Sequence, residues 1–139
     1  MAVGCIFARI IAGEIPCQRV FENDQVLAFL DINPLSEGHT LLVPKRCVER
    51  LAELTPMEAA ELGRQTLALS RRVLAATGAE GCNILLNDGR VAGQEVPHVH
   101  VHIVPRRAGD GLGYRWKAQP GDPQRLAALA ERIRSAHVQ

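Results

Sequence analysis

The sequence predicts an α+β chain built on an antiparallel sheet of about five strands. Three observations carry that prediction. Short apolar runs occur in hairpin-like pairs separated by turn residues. Helical periodicity is confined to one long internal segment, a short opening one and a C-terminal one, so helices do not alternate with strands as they do around a parallel sheet. The 139 residues are 47% hydrophobic and 22% charged, the balance of one ordinary globular domain.

Each element has a local cause. Ile6, Phe7, Ile10 and Ile11 recur at helical spacing and stop at Gly13, which predicts one or two turns of helix. Val20–Glu22 and Gln25–Leu30 flank Asn23-Asp24, a hairpin signature. Asn33-Pro34 and Ser36-Glu37-Gly38 break the chain, after which His39–Val43 reads as a buried strand stopped by Pro44. Thr55-Pro56-Met57-Glu58 combines an N-cap Thr, a Pro at the first helical position and a capping Glu. Leu62, Leu69, Val73 and Ala76 then follow at helical spacing up to a Gly78 stop. Cys82–Leu86 is a further strand, ended by Asn87-Asp88-Gly89. A polar loop, Arg90–Pro97, leads to a strand at His98–Val104, ended by Pro105, and Asp122-Pro123 caps a last amphipathic helix carrying Leu126, Leu129 and Ile133. Without a repeat, low-complexity tract or long linker, the chain is expected to hold one domain over 1–116 and a C-terminal extension over 117–139 whose short helix packs on that domain.

Charge and composition exclude several functions. Sixteen basic and fifteen acidic residues leave a net charge of +1, no footprint for duplex nucleic acid. Five aromatic residues, Phe7, Phe21, Phe29, Tyr114 and Trp116, are too scattered for single-strand stacking. No apolar run approaches the roughly 18 residues of a membrane span, and Arg9 and Glu14 interrupt the apolar N-terminal stretch, which argues against a signal peptide. Cys5, Cys17, Cys47 and Cys82 are scattered and read as free thiols of a reducing, cytoplasmic compartment. No nucleic-acid or membrane partner is expected.

The chemistry concentrates in His98-Val99-His100-Val101-His102-Ile103-Val104. Side chains on a strand alternate, so the three histidines share one face, spaced by about 6.7 Å, and the aliphatic residues share the other. Three readings compete. A half-buried histidine can be merely structural. Two histidines at i and i+2 can share a metal, although an outer pair about 13 Å apart cannot join them without ligands from elsewhere. A neutral imidazole can also attack a phosphorus centre while its neighbours orient groups or move protons. The small and polar residues of Asn87-Asp88-Gly89 and Gly93–Val96, which bring backbone N–H groups beside the triad, favour the third.

HVHVHIV resembles the motif of the histidine-triad (HIT) family. CIFARIIAGEIP, LAFLDINPLSEGHTLLVPK and NDGRVAGQEVPHVHVHIVPR resemble that family's opening helix, hairpin with following strand, and active-site segment, so the likeness spans about Cys5 to Trp116. The chain is similar to the stand-alone bacterial type, near the nucleotide-binding and fragile-histidine-triad branches. The resemblance implies a homodimer of the HIT-like fold. It implies a ligand that contains a nucleoside monophosphate, with a purine favoured. It also implies hydrolysis or transfer at the α-phosphorus through a nucleotidyl-histidine. By the same resemblance His100 is the nucleophile, assisted by His98 and His102; Asp31 binds the ribose hydroxyls; Asn87, Gln94, Glu95 and Val96 meet phosphate or leaving group; and Ile6, Phe7, Ile10, Phe29, Leu30 and Ile32 form the slot for the base. His39 matches a buried structural histidine. Glu95 stands where some branches carry Ser or Thr, so only its backbone N–H is expected to help a phosphate. No cofactor is required, though magnesium can accompany a polyphosphate substrate. Zinc-bearing members imply ligands at Cys5, position 8, position 47 and His98; this chain has Ala8 and Cys47 there, so little zinc is expected, the more so because a metal on His98 would compete with the triad. Two alternatives share the site: a dinucleoside polyphosphate hydrolase, and a non-catalytic nucleotide-binding or adaptor protein.

Overall fold

Val26–Leu30 (β2) and Thr40–Pro44 (β3) are apolar at almost every position because the sheet they centre is covered on both faces. The computed structural model describes residues 4–113 and 116–138. Residues 1–3, 114 and 115 of the predicted domain, and 139 of the extension, lie outside the described residues. Arg19–Glu22 (β1), Gly81–Leu85 (β4) and Val101–Arg106 (β5) complete a five-stranded antiparallel sheet in the order β1-β2-β3-β5-β4. The α+β prediction holds, and β4 and β1 are the two edges.

The hairpin forms where predicted. Asn23 Oδ1 accepts the N–H groups of Gln25 and Val26 at 2.8 and 2.9 Å, and its amide donates to Glu61 Oε1 at 2.9 Å, which ties the turn to the long helix. That helix, Pro56–Thr77 (α2), opens with the expected box: Thr55 Oγ1 accepts from Glu58 N, and Glu58 Oε1 accepts from Thr55 N, each at 3.1 Å. Gly78 closes it at φ 67°, a left-handed cap that costs glycine nothing. Leu62, Leu69 and Val73 on α2 pack on Val26, Ala28, Leu42, Val99, Val101 and Ile103 to form one core layer. The opposite face carries Leu27, Phe29, Leu41 and Val43 under Phe7 and Ile10 of the short helix Ile6–Ile11 (α1). Burying two faces of one sheet is the main stabilising term, at about 25 cal/mol per Å² of apolar area.

Two expectations are corrected. The last strand begins at Val101, not His98. His98 N bonds back to Val96 O at 2.8 Å and Val99 N to Val48 O at 2.8 Å, so residues 98–100 run beside the segment after β3, and the ladder starts at the Leu42–Val101 pair. Pro105 lies inside β5 and does not end it. Its carbonyl accepts from Ser36 Oγ at 2.7 Å, so its N faces the β3 side beyond Ile103, the last residue paired there, where no ladder bond is lost. The C-terminal helix forms where expected, at Pro123–Ser135 (α3). No α3 residue is buried, and Leu126, Leu129 and Ile133 are exposed at 55%, 44% and 68%.

Candidate active site

The alternation read from HVHVHIV survives the late start of β5. Val99, Val101 and Ile103 enter the α2 layer, whereas the histidines lie on the α1 face. The Phe7 ring stands edge-on to His98 and His100 at 6.0 and 5.0 Å between centroids, and His100 meets His102 at 4.7 Å. The register Leu41–His102 also brings His39, which shares a face with Leu41, against His102 at 5.2 Å.

The hydrogen bonds determine which nitrogen of each ring carries a proton. A backbone carbonyl only accepts, so a ring nitrogen bonded to one is an N–H. His100 Nδ1 lies 2.7 Å from His98 O; Nδ1 is therefore protonated, and the lone pair of the neutral ring is on Nε2. His98 Nε2 lies 2.8 Å from Pro44 O, which leaves its lone pair on Nδ1, 3.5 Å from Cys5 Sγ. His39 Nδ1 accepts from Leu35 N at 3.1 Å, so its Nε2–H donates to His102 Nδ1 at 3.0 Å. His102 Nε2 is then an N–H donor. The site thus presents one imidazole as a base and nucleophile beside a second as a donor.

Burial reinforces the neutral forms. Desolvation lowers His39, His98 and His100 below the ordinary histidine range. His102 falls to about 4, first through desolvation and then through the neighbouring His100 and His39. Nearby, Asp31 Oδ1 accepts from Asn33 N at 2.9 Å, and Oδ2 stands 3.8 Å from His39 Nε2.

These groups line a cavity of about 460 Å³. It brings together Ile6, Phe7, Ile10, Phe29, Asp31, Ile32, Asn87, Glu95, Val96, His100 and His102, all singled out in the sequence. Three singled-out residues stay out of it. Leu30, one step along β2 from Phe29, points away from it and is exposed. Gln94 is 5% exposed with both amide ends engaged: Oε1 accepts from Gly89 N at 2.7 Å and Nε2 donates to Glu49 O at 2.8 Å. Those two bonds brace the loop. His98 is wholly buried behind His100 and supports it through its carbonyl. The cavity adds residues the sequence reading missed, among them Ile15, Cys17, Asn33 and Leu35, and it makes His39 a member of the site and not a structural bystander. Gly93, beside the Asn87 amide, holds φ 100°, a backbone conformation that any other residue would adopt only with strain. Only the β3–β5 register could have revealed His39.

Among the described residues, two clusters have donor atoms within 4.8 Å of one another: Cys5, Cys47, His98 and Asp31, His39, His102. The first fits a metal. Its imidazole points a lone pair at a thiol while the other ring nitrogen donates to a carbonyl, the usual support of a ligating histidine. The second does not. A metal on His39 Nε2 would force the proton to Nδ1, against the Leu35 N–H. His98 supports His100 through its backbone carbonyl, a bond that a metal on the His98 ring would leave in place.

Comparison with known proteins is consistent with this geometry. The HIT domain family model matches residues 12–109. The chain is 42% identical over 134 residues to the adenosine 5'-monophosphoramidase hnt1 of Schizosaccharomyces pombe, covering 96% of this chain and 98% of that one. The crystal structure of a Streptococcus mutans protein superposes with a TM-score of 0.91 at 42% identity, over 96% of this chain and 85% of that one. A zinc-bound histidine triad family protein from Mycobacterium smegmatis superposes at 0.76 with 35% identity, over 98% and 100%.

Proposed function

The chain belongs to the HIT family, and from that premise we propose that it is a nucleoside phosphoramidase acting at the α-phosphorus through a covalent nucleotide on His100. The S. pombe relative bears the name of such an enzyme. The observation that carries the reading is the pair of complementary tautomers: a lone pair on His100 Nε2 beside an N–H on His102 Nε2. Attack forms the Nε2–P bond and breaks the P–N bond. The amine departs with a proton from His102, and the water that then cleaves Nε2–P returns one. The apolar slot of Phe7, Ile10 and Phe29 suits a base, with a purine favoured, and Asp31 suits the ribose diol. Asn87 and the loop N–H groups suit the phosphoryl oxygens. Turnover of AMP phosphoramidates beside dinucleoside polyphosphates tests the assignment. Cleavage of the polyphosphates alone would replace it with the alternative hydrolase, and tight AMP binding without turnover of either would make the protein a binder or adaptor.

We read residues 1–116 as the catalytic domain, with α3 in an extension that follows it. A homodimer is supported by two features outside the cavity. The β4 edge is unpaired within the described chain, and a second cavity of about 330 Å³ lies against it, lined by Leu51, Leu62, Ile84, Leu86 and Val101. Ile84 and Leu67 are exposed at 47% and 54%, apolar area that a second copy would cover. Light scattering should give twice the chain mass, and a stable monomer at micromolar concentration would contradict the dimer.

No cofactor enters the chemistry. Cys5, Cys47 and the His98 ring supply three of the four ligands of a structural zinc, and Ala8 supplies none. Zinc held there would brace the N-cap of α1 against the end of β3 and touch no reacting atom.

A further inference from the structure

Among the described residues, no fixed cation lines the cavity. Its ionisable lining is Asp31, Glu95, Cys17 and the three imidazoles of His39, His100 and His102, and no lysine or arginine lines it. Arg50, close to the loop at Gly89, is held away by its ion pair with Asp88 at 3.2 Å. All three imidazoles are pushed towards the neutral form by burial. The described lining therefore meets its ligand with carboxylates and dipoles.

The two carboxylates have different surroundings. Asp31 follows β2, takes the Asn33 N–H and stands beside His39, on the side walled by the apolar slot. Glu95 enters from the β4–β5 loop with Asn87 and Gly93. It is exposed and makes no hydrogen bond or ion pair within the described structure. With the nucleoside on the Asp31 side, the loop side is left for the departing group. An unpaired carboxylate there repels an anion and attracts a cation. A nucleoside phosphoramidate brings one negative charge spread over two oxygens, and its departing group is an amine. A polyphosphate brings several negative charges and an anionic departing group.

We propose that Glu95 sets leaving-group specificity: it selects nucleoside phosphoramidates whose departing amine carries a second ammonium group, and it disfavours polyphosphates. This rests on the phosphoramidase reading above. In the reaction the Nε2–P bond forms, the P–N bond breaks, and the departing nitrogen takes its proton from His102. The distal ammonium stays paired with Glu95 throughout, so Glu95 exchanges neither proton nor electrons and acts on selection alone.

The test uses AMP joined to ethylenediamine, to propylamine or to β-alanine, three amines of matched length ending in ammonium, methyl or carboxylate. In the natural protein kcat/KM should fall in that order by about 2–5-fold per step, the range of a partly exposed ion pair, and the spread should shrink as salt rises. Glu95→Gln should flatten the order and Glu95→Lys should reverse it; ratios between substrates cancel any general loss of activity in the variants. A flat order in the natural protein, or an order unchanged in Glu95→Gln, would overturn the assignment while leaving the phosphoramidase reading intact. Failure to turn over any of the three would sink both.

Discussion

The two clusters on either side of His100 have similar parts and opposite chemistry. Behind it, His98 sits with Cys5 and Cys47; in front, His102 sits with His39 and Asp31. Both hold a neutral, desolvated imidazole. They differ in which ring nitrogen the backbone claims. Pro44 O takes the Nε2–H of His98 and turns its lone pair towards a thiol, which makes that side a structural pocket fit for a metal. Leu35 N–H occupies Nδ1 of His39 and sends the proton through to His102, which makes the front a donor relay unfit for one. One backbone hydrogen bond thus assigns each histidine its role more strongly than residue type does.

Removing the centre of the comparison should have the largest effect. His100→Ala is expected to lower kcat by about a thousandfold or more, as loss of a nucleophile does, with AMP binding largely kept; near-normal turnover in steady-state assays would end the covalent mechanism. Next comes the front side. A single carboxylate on two ribose hydroxyls predicts that deoxy-AMP binds more weakly than AMP by about 1.5–3 kcal/mol, the worth of a hydrogen bond to a charged group. Equal affinities by calorimetry would take Asp31 out of ribose recognition.

The desolvated front also predicts acid sensitivity. Burial holds His102 at about 4 in the folded protein, against the ordinary 6.5 of a solvated histidine, so between those values the unfolded chain binds a proton that the folded one refuses. Stability should therefore fall as the pH drops through that window, by at most about 1.4 kcal/mol for each unit the pKa is displaced, and by less for a ring partly open to solvent. A Tm unchanged between pH 7 and pH 5 would show that the ring is hydrated. The smallest effect on activity belongs to the back. Metal analysis should find well under one zinc per chain, with turnover that survives chelation, and Cys5→Ser should abolish what zinc there is while changing kcat less than about twofold, since Cys5 touches no reacting atom. Stoichiometric zinc, lost together with the fold, would show that three ligands suffice and that Ala8 costs the site nothing.

Much of the scaffold was legible locally. The Thr55–Glu58 box, the Gly78 stop and the Asn23 turn are short-range hydrogen-bond patterns, and each formed where its residues stand. The triad's face was legible because strand alternation persists even where the ladder is missing. Contacts that depend on register were not. The bracing of its loop by Gln94 was not, because Glu49 O reaches it from a segment 45 residues away. Leu30 was read into the base slot, yet β2 turns its neighbour Phe29 inward instead. The amphipathic stripe of α3 foretold a helix but not a docking place, since a stripe records that apolar area is available and not what covers it.

Composition, periodicity and capping in the sequence determined that this chain forms an antiparallel sheet with one long helix and offers three histidines on one face. Only the tertiary structure decided what those histidines can do. The antiparallel pairing of β3 with β5 put His39 against His102, and the return of residues 98–100 along the segment after β3 put a carbonyl on each remaining ring. A side chain's identity is written in the chain, but its protonation state follows from desolvation and from partners far away in sequence, and these exist only once the strands have met.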